Sequence, residues 1–344
     1  MFAPALTQLL GATVLLSGSD RLPPRAALTT VSYTAALTTA LLAVPGLPVP
    51  ALLGLVLLQG LISSLAGGVR WGLLHEIVPN GSYLQGRSLF NMTSGLTQIA
   101  GYATAGALLT WLAPGTCLLL AAALCLASAL TQRLGLTARP PRATGRPSPA
   151  ATWRGNSLLW KDRSRRLLLL GLWLPNGLVV GCESLYVSYA PESAGALFAC
   201  AALGMFLGDV LVGRLLSPAS RTRLATPLLT LLAAPYVLFV AQPPLYLALL
   251  CVTLASVGFG ASLVQQEHLM ALTPKELTGH ALGLHSAGML GTQGVSAVLA
   301  GTLAQLSSPA WGMTVMAGAS LAVTGALWAC GRPAHRSERA FRSA

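Results

Sequence analysis

The chain has 344 residues, of which 9% are charged and 54% are hydrophobic, with a mean hydropathy of +0.67. Ordinary soluble domains are about 25% charged, so this composition excludes a soluble enzyme; at about 20 residues per spanning helix, the length is spent on ten to twelve spans. The formal net charge is +12, yet the basic residues recur in every second loop, as the cytoplasmic face of a membrane protein requires, and a nucleic-acid partner is not expected.

The first apolar segment runs from Phe2 to about Ser17, without the basic start or the small-residue cleavage site of a secretory leader. Arg21 and Arg25 follow. From Ala26 to Val69 there is no Asp, Glu, Lys or Arg, and the run is broken only at Val44-Pro45-Gly46-Leu47-Pro48, which predicts two helices joined by a tight turn. The same pattern returns from Ser88 to Gln132, divided at Pro114-Gly115. It recurs from Leu167 to Gly213, where Glu183, Glu192 and Asp209 are the only charges, from Leu224 to Gln266, divided at Pro243-Pro244, and from Leu277 to Gly331, divided at Ser308-Pro309. Five helical hairpins and the lone first segment give about 11 transmembrane helices in an all-α integral membrane protein.

The expected organisation is an N-terminal helical half over 1–133 with about five spans and a basic Pro/Arg-rich cytoplasmic linker over 134–166. A C-terminal half with six spans follows over 167–331, and a basic cytoplasmic tail over 332–344. The turns near Pro45, Pro114, Pro191, Pro243 and Pro309 carry no Lys or Arg, so they are assigned to the outer face and the C-terminus to the cytoplasm. All basic residues but Lys161 and Lys275 are Arg, which hints at GC-rich bacterial coding.

Sliding the chain on itself by 195 positions places Pro79, Leu89, Thr97, Gln98, Ala105, Gly106, Leu108 and Pro114 on Pro274, Leu284, Thr292, Gln293, Ala300, Gly301, Leu303 and Pro309. Two copies with equivalent loops on one face are parallel repeats, an arrangement found in transporters.

An ionisable group inside hydrocarbon is costly unless it faces a cavity or a partner. Glu183 shares one stripe of a greasy helix with Trp173, Asn176 and Tyr186. The stripe either lines a cavity in which Glu183 binds a proton or a cationic substrate, or lets Glu183 snorkel to the interface. Gln98 and Gln293 occupy equivalent places in the two copies; these, and Gln59, either line the cavity or bond neighbouring helices. His285 could titrate in a transport cycle or simply pack. Asp209 and Arg214 lie five apart near a helix end. No paired acids, metal-ligand spacing, Cys-x-x-Cys or phosphate-binding loop occurs. An enzyme, a metal, a cofactor and ATP drive by this chain are therefore not expected.

Asp20-Arg21, followed by Arg25, resembles the G-x-x-x-D-R-x-G-R-R loop of the major facilitator superfamily, with Leu16, Pro23 and Pro24 at three of its positions. Gln59-Gly60 resembles that family's R-x-x-Q-G element with Val56 in place of Arg. Arg70 to Pro79 and Leu89-Phe90-Asn91 look like the cytoplasmic loop of bacterial efflux members, and Gly101 to Gly106 resembles G-P-x-x-x-G with Tyr102 for Pro. The resemblance implies two six-helix bundles, here lacking the first helix. It implies alternating access without ATP, coupling to a proton gradient, and a monomer in the bacterial inner membrane that exports a drug-like or natural-product compound. It also implies a cytoplasmic gate formed by Asp20, Arg21, Arg25, Asp209 and Arg214, the alternative for Asp209 and Arg214 being a static helix-end ion pair. Uptake of a nutrient or metabolite by the same fold, and a non-transporting truncated remnant, are the alternatives.

Overall fold

The computed structural model describes residues 7, 11, 14–78 and 83–331; within the helices the side chains of residues 83–84, 98–99, 102–103, 105–107, 109–110, 218 and 331 are outside the description. All regular structure among the described residues is helical. The helices are α1 (Pro24–Leu42), α2 (Val49–Ile77), α3 (Tyr83–Trp111), α4 (Pro114–Gly135) and α5 (Pro149–Lys161). There follow α6 (Arg163–Tyr189), α7 (Pro191–Leu215), α8 (Ala219–Ala241), α9 (Leu245–Ala271), α10 (Lys275–Leu306) and α11 (Pro309–Cys330).

The five expected hairpins are the pairs α1/α2, α3/α4, α6/α7, α8/α9 and α10/α11. Proline opens α1, α4, α7 and α11, where its missing N–H costs nothing and its fixed φ already suits the helix. Gly46, at φ 78°, supplies the left-handed residue of the α1/α2 turn that its Pro-Gly sequence announces. Among the described residues, eight helices are long and apolar enough to cross a membrane. This is fewer than the eleven spans expected, for two reasons. The first segment lies mostly outside the described residues, and α1 and α3 are rich in hydroxyl side chains. Those hydroxyls are satisfied within their own helix: Thr34 and Thr38 in α1, and Thr93 and Thr97 in α3, donate to the carbonyl four residues earlier.

The helices of the second copy start and stop where the repeat requires. α3 and the α-helical part of α10, Thr278–Leu306, are both 29 residues long, and their bounds differ by the 195 positions of the sequence offset.

The described chain forms two compact units. The first contains residues up to Lys161 together with Glu267–Val295, and the second contains Asp162–Gln266 together with residues from Ser296 on. In the first unit α1 packs along α2 and α4. A small apolar core of Ala27, Leu28, Val69 and Leu73, with Leu22, Leu65 and Leu136 against it, sits near the end of the bundle that carries the arginines. The segment read from sequence as a linker contains α5 and is fastened to the turn before α1. Ser17 donates its N–H to Thr152 Oγ1 at 3.0 Å and its hydroxyl to the Ser148 carbonyl at 3.0 Å, and Arg21 donates to the Arg146 carbonyl at 2.9 Å.

In the second unit α6 packs on α11, α7 on α9, and α8 on α11. Gly204 and Gly208 let α7 meet α9 backbone to backbone, since a side chain on either would run into the carbonyl of Thr253 or Val257. Four helices of this unit depart from α winding: α6 is broken by a turn at 184–185, α7 ends in a π turn at Leu211–Leu215, α8 in a 3-10 stretch at Ala234–Ala241, and α9 contains Gly258–Gly260 as 3-10. Pro175 lies inside α6, and Ser320 of α11 donates to its carbonyl at 3.1 Å.

Candidate functional site

The first cluster of functional interest is built on the helical turn Gly18–Arg21, where Asp20 is buried. Its Oδ1 accepts from Arg142 Nε at 2.8 Å and from the Gly279 N–H at 3.0 Å, and its Oδ2 accepts from the His280 N–H at 2.7 Å. Gly279 and His280 begin the α-helical part of α10, whose first amides have no partner within the helix and carry partial positive charge. One carboxylate thus satisfies two orphan amides and an arginine. Gly279 is required for the approach: a Cβ there would stand 2.5 Å from Asp20 Oδ1 and 2.9 Å from Arg142 Nη2. Burial pushes the Asp20 carboxyl above its ordinary value, while the Arg142 guanidinium and the two N–H groups pull it down.

Arg142 is the hub of this cluster. It also donates to the Ser19 carbonyl at 2.8 Å and lies 3.5 Å from Glu76, which pairs with Arg139 at 2.8 Å. The His280 ring extends the cluster to α5, with Nε2 and Asn156 Oδ1 2.8 Å apart.

The second cluster is the polar stripe of α6. Trp173, Asn176 and Tyr186 are buried, and Asn176 Nδ2 donates to the Leu172 carbonyl at 2.8 Å. Asn176 Oδ1 and Glu183 Oε1 are shielded and have no hydrogen-bond partner among the described residues. Both are acceptors, and both lie on one face of the helix, seven residues apart. The Tyr186 hydroxyl is hydrogen-bonded to that of Tyr236, and the Tyr186 ring meets Phe198 edge-on at 5.0 Å. An arrangement with unpaired acceptors and a wall of aromatic rings suits a ligand that brings donors or positive charge.

The remaining residues singled out from sequence fall as follows. Gln59 donates through Nε2 to Thr38 Oγ1 at 2.9 Å and to Thr39 Oγ1 at 3.0 Å, bonding α2 to α1. His285 is buried and Gln293 half-buried, both on α10; the side chain of Gln98 lies outside the described residues. Asp209 is buried near the end of the regular part of α7, and Arg214 is exposed in its π turn. Arg25 lines an open cavity with Arg133. Of the five gate residues, the structure places Asp20 in an ion pair with Arg142 and bonds Arg21 to the Arg146 carbonyl. Sequence reasoning missed Arg142, Glu76, Gly279 and Asn156. Arg142 is one of many arginines in a Pro-rich stretch, and a glycine at a helix start gives no local sign that a carboxylate comes to rest on it. No three of His, Cys, Asp and Glu converge as a metal site among the described residues.

This architecture is the major facilitator superfamily fold. The human organic anion transporter MFSD10 superposes with a TM-score of 0.76 at 18% identity, covering 94% of this chain and 82% of that one. The E. coli fucose:proton symporter FucP superposes with a TM-score of 0.72 at 14% identity, covering 97% and 88%, and a bacterial homologue of the iron transporter ferroportin, in an outward-facing state, with 0.68 at 18%, covering 94% and 87%. No protein-family model and no curated protein matches the sequence.

Proposed function

We propose that the chain is a secondary transporter that moves a small molecule by alternating access, with helical halves over 1–133 and 167–331 acting as the moving bodies. The observation that carries this reading is the pair of unpartnered acceptors, Asn176 Oδ1 and Glu183 Oε1, on the stripe of α6 in a bundle with a transporter's fold. Leaving two buried acceptors unsatisfied costs stability, so the stripe is best explained by a ligand or proton that completes it. The Asp20 cluster acts as the gate. Its carboxylate holds the start of α10 when closed, and release of the two amides and of Arg142 frees α10 to move.

The preferred direction is export of a drug-like or natural-product compound, from a bacterial inner membrane with the C-terminus inside, by a single chain coupled to the proton gradient. The resemblance of the Arg70–Pro79 loop to bacterial efflux members supports export. Everted vesicles carrying the protein should accumulate a panel of amphipathic dyes when a proton gradient is imposed, and Glu183→Gln should abolish the gradient dependence. Uptake only in right-side-out vesicles would reverse the direction. No gradient-dependent flux in either orientation would leave a non-transporting protein.

A further inference from the structure

We infer that the ends of α1 and α4 form a binding site for one anionic phospholipid. Arg25, at the start of α1, and Arg133, near the end of α4, face a common open cavity of about 430 Å³, with Thr30 and Tyr33 also in its lining. Neither arginine makes an ion pair among the described residues; the pairs found there engage Arg139, Arg142 and Arg165. Among the described residues the cavity lining contains no acidic side chain. Two uncompensated guanidiniums at one opening suit a phosphate, which each can grip through parallel N–H donors. Basic pockets between transmembrane helices are recognised sites for anionic headgroups.

The apolar surface below the arginines selects a lipid over a free phosphate. On α1, Leu37 and Leu41 follow Tyr33 at helical spacing and are exposed; on α4, Leu130, Leu126 and Leu119 continue from Arg133 on one face and are also exposed. The two leucine rows lie on helices that pack against each other. A bond from Ser32 Oγ to Gln132 Oε1 at 3.1 Å pins the helices together beside the cavity. A headgroup on the arginines therefore has a track for its acyl chains, and the absence of a carboxylate in the lining disfavours a zwitterionic headgroup that carries an ammonium. This site is separate from the Asp20 cluster and the α6 stripe and does not depend on the chain being a transporter.

The test is native mass spectrometry of the full chain in detergent, with phosphatidylglycerol and phosphatidylcholine of identical acyl chains. The wild type should retain phosphatidylglycerol preferentially. Arg25→Gln and Arg133→Gln should each lower that retention about fivefold, while Arg154→Gln on α5 leaves it unchanged. The double Lys variant, R25K/R133K, preserves charge and should keep most of the preference, which separates lost recognition from lost folding. Leu37→Ser with Leu130→Ser should weaken phosphatidylglycerol without altering the response to inorganic phosphate. Equal retention of the two lipids by the wild type, or no effect of either Gln variant, overturns the site. Displacement of phosphatidylglycerol by millimolar inorganic phosphate overturns the assignment to a lipid.

Discussion

Asp20 and His280 stand 260 positions apart in the chain and are joined by a 2.7 Å hydrogen bond from the His280 N–H to the carboxylate. The same carboxylate holds Arg142, so the turn before α1, the stretch before α5 and the start of α10 share one acceptor. Losing the carboxylate removes all three bonds at once, while Ser17 and Arg21 still hold the turn to residues 146–152.

Asp20→Asn keeps the shape and removes the charge. Arg142 is then a largely buried cation left with the Ser19 carbonyl at 2.8 Å and with Glu76, at 3.5 Å, as its remaining carboxylate among the described residues, and breaking a buried pair from one side costs roughly 3 kcal/mol. The expected result is a lower unfolding temperature in detergent and faster labelling of a cysteine placed early in α10. A variant that melts and labels like the wild type would show that the pair is inert.

Gly279→Ala tests the same clamp from the opposite side, because its Cβ would stand 2.5 Å from Asp20 Oδ1. If the damage comes only from prising Asp20 away, the double variant with Asp20→Asn should be no less stable than Asp20→Asn alone, to within about 0.5 kcal/mol. Additive losses would mean that the glycine serves another purpose.

Asn176→Leu removes a shielded acceptor that has no partner among the described residues. Stability should rise, by about 1 kcal/mol, while transport falls. A gain in stability with undiminished flux would take Asn176 out of the substrate path.

Gln59→Leu removes two interhelical bonds, to Thr38 and Thr39. Such bonds are weak inside a bilayer, so the loss should be at most about 1 kcal/mol, with flux unchanged. Loss of flux at unchanged stability would instead make Gln59 a cavity residue.

The hairpins were legible because uncharged runs and Pro-Gly breaks are local and strong signals. The repeat was legible because a Thr-Gln pair and two prolines repeat at one offset, and the bounds of α3 and α10 follow that offset. The α6 stripe could be read in part, because helical spacing gathers Trp173, Asn176 and Glu183, whereas Tyr186 follows the turn at 184–185 and is placed by the fold rather than by spacing. The partner of Asp20 could not: Arg142 lies in a stretch that composition marks as a tether, and a cation's partner is decided by tertiary placement rather than spacing. For the same reason α5 was hidden, since its anchoring bonds run from Thr152 and Asn156 to residues far away in sequence.

The 3-10 stretch at the end of α8 makes that helix longer than α winding would. Its eight residues, Ala234–Ala241, rise about 2.0 Å each where α winding would give about 1.5 Å, so rewinding would shorten the helix by about 4 Å. Each residue would also turn about 20° less around the axis, which swings Tyr236 off the Tyr186 hydroxyl. Pro235, which has no N–H and would crowd the carbonyl of Leu231, holds the stretch against that rewinding. The winding of these eight residues thus sets both the length of α8 and the place of the Tyr236 hydroxyl against that of Tyr186.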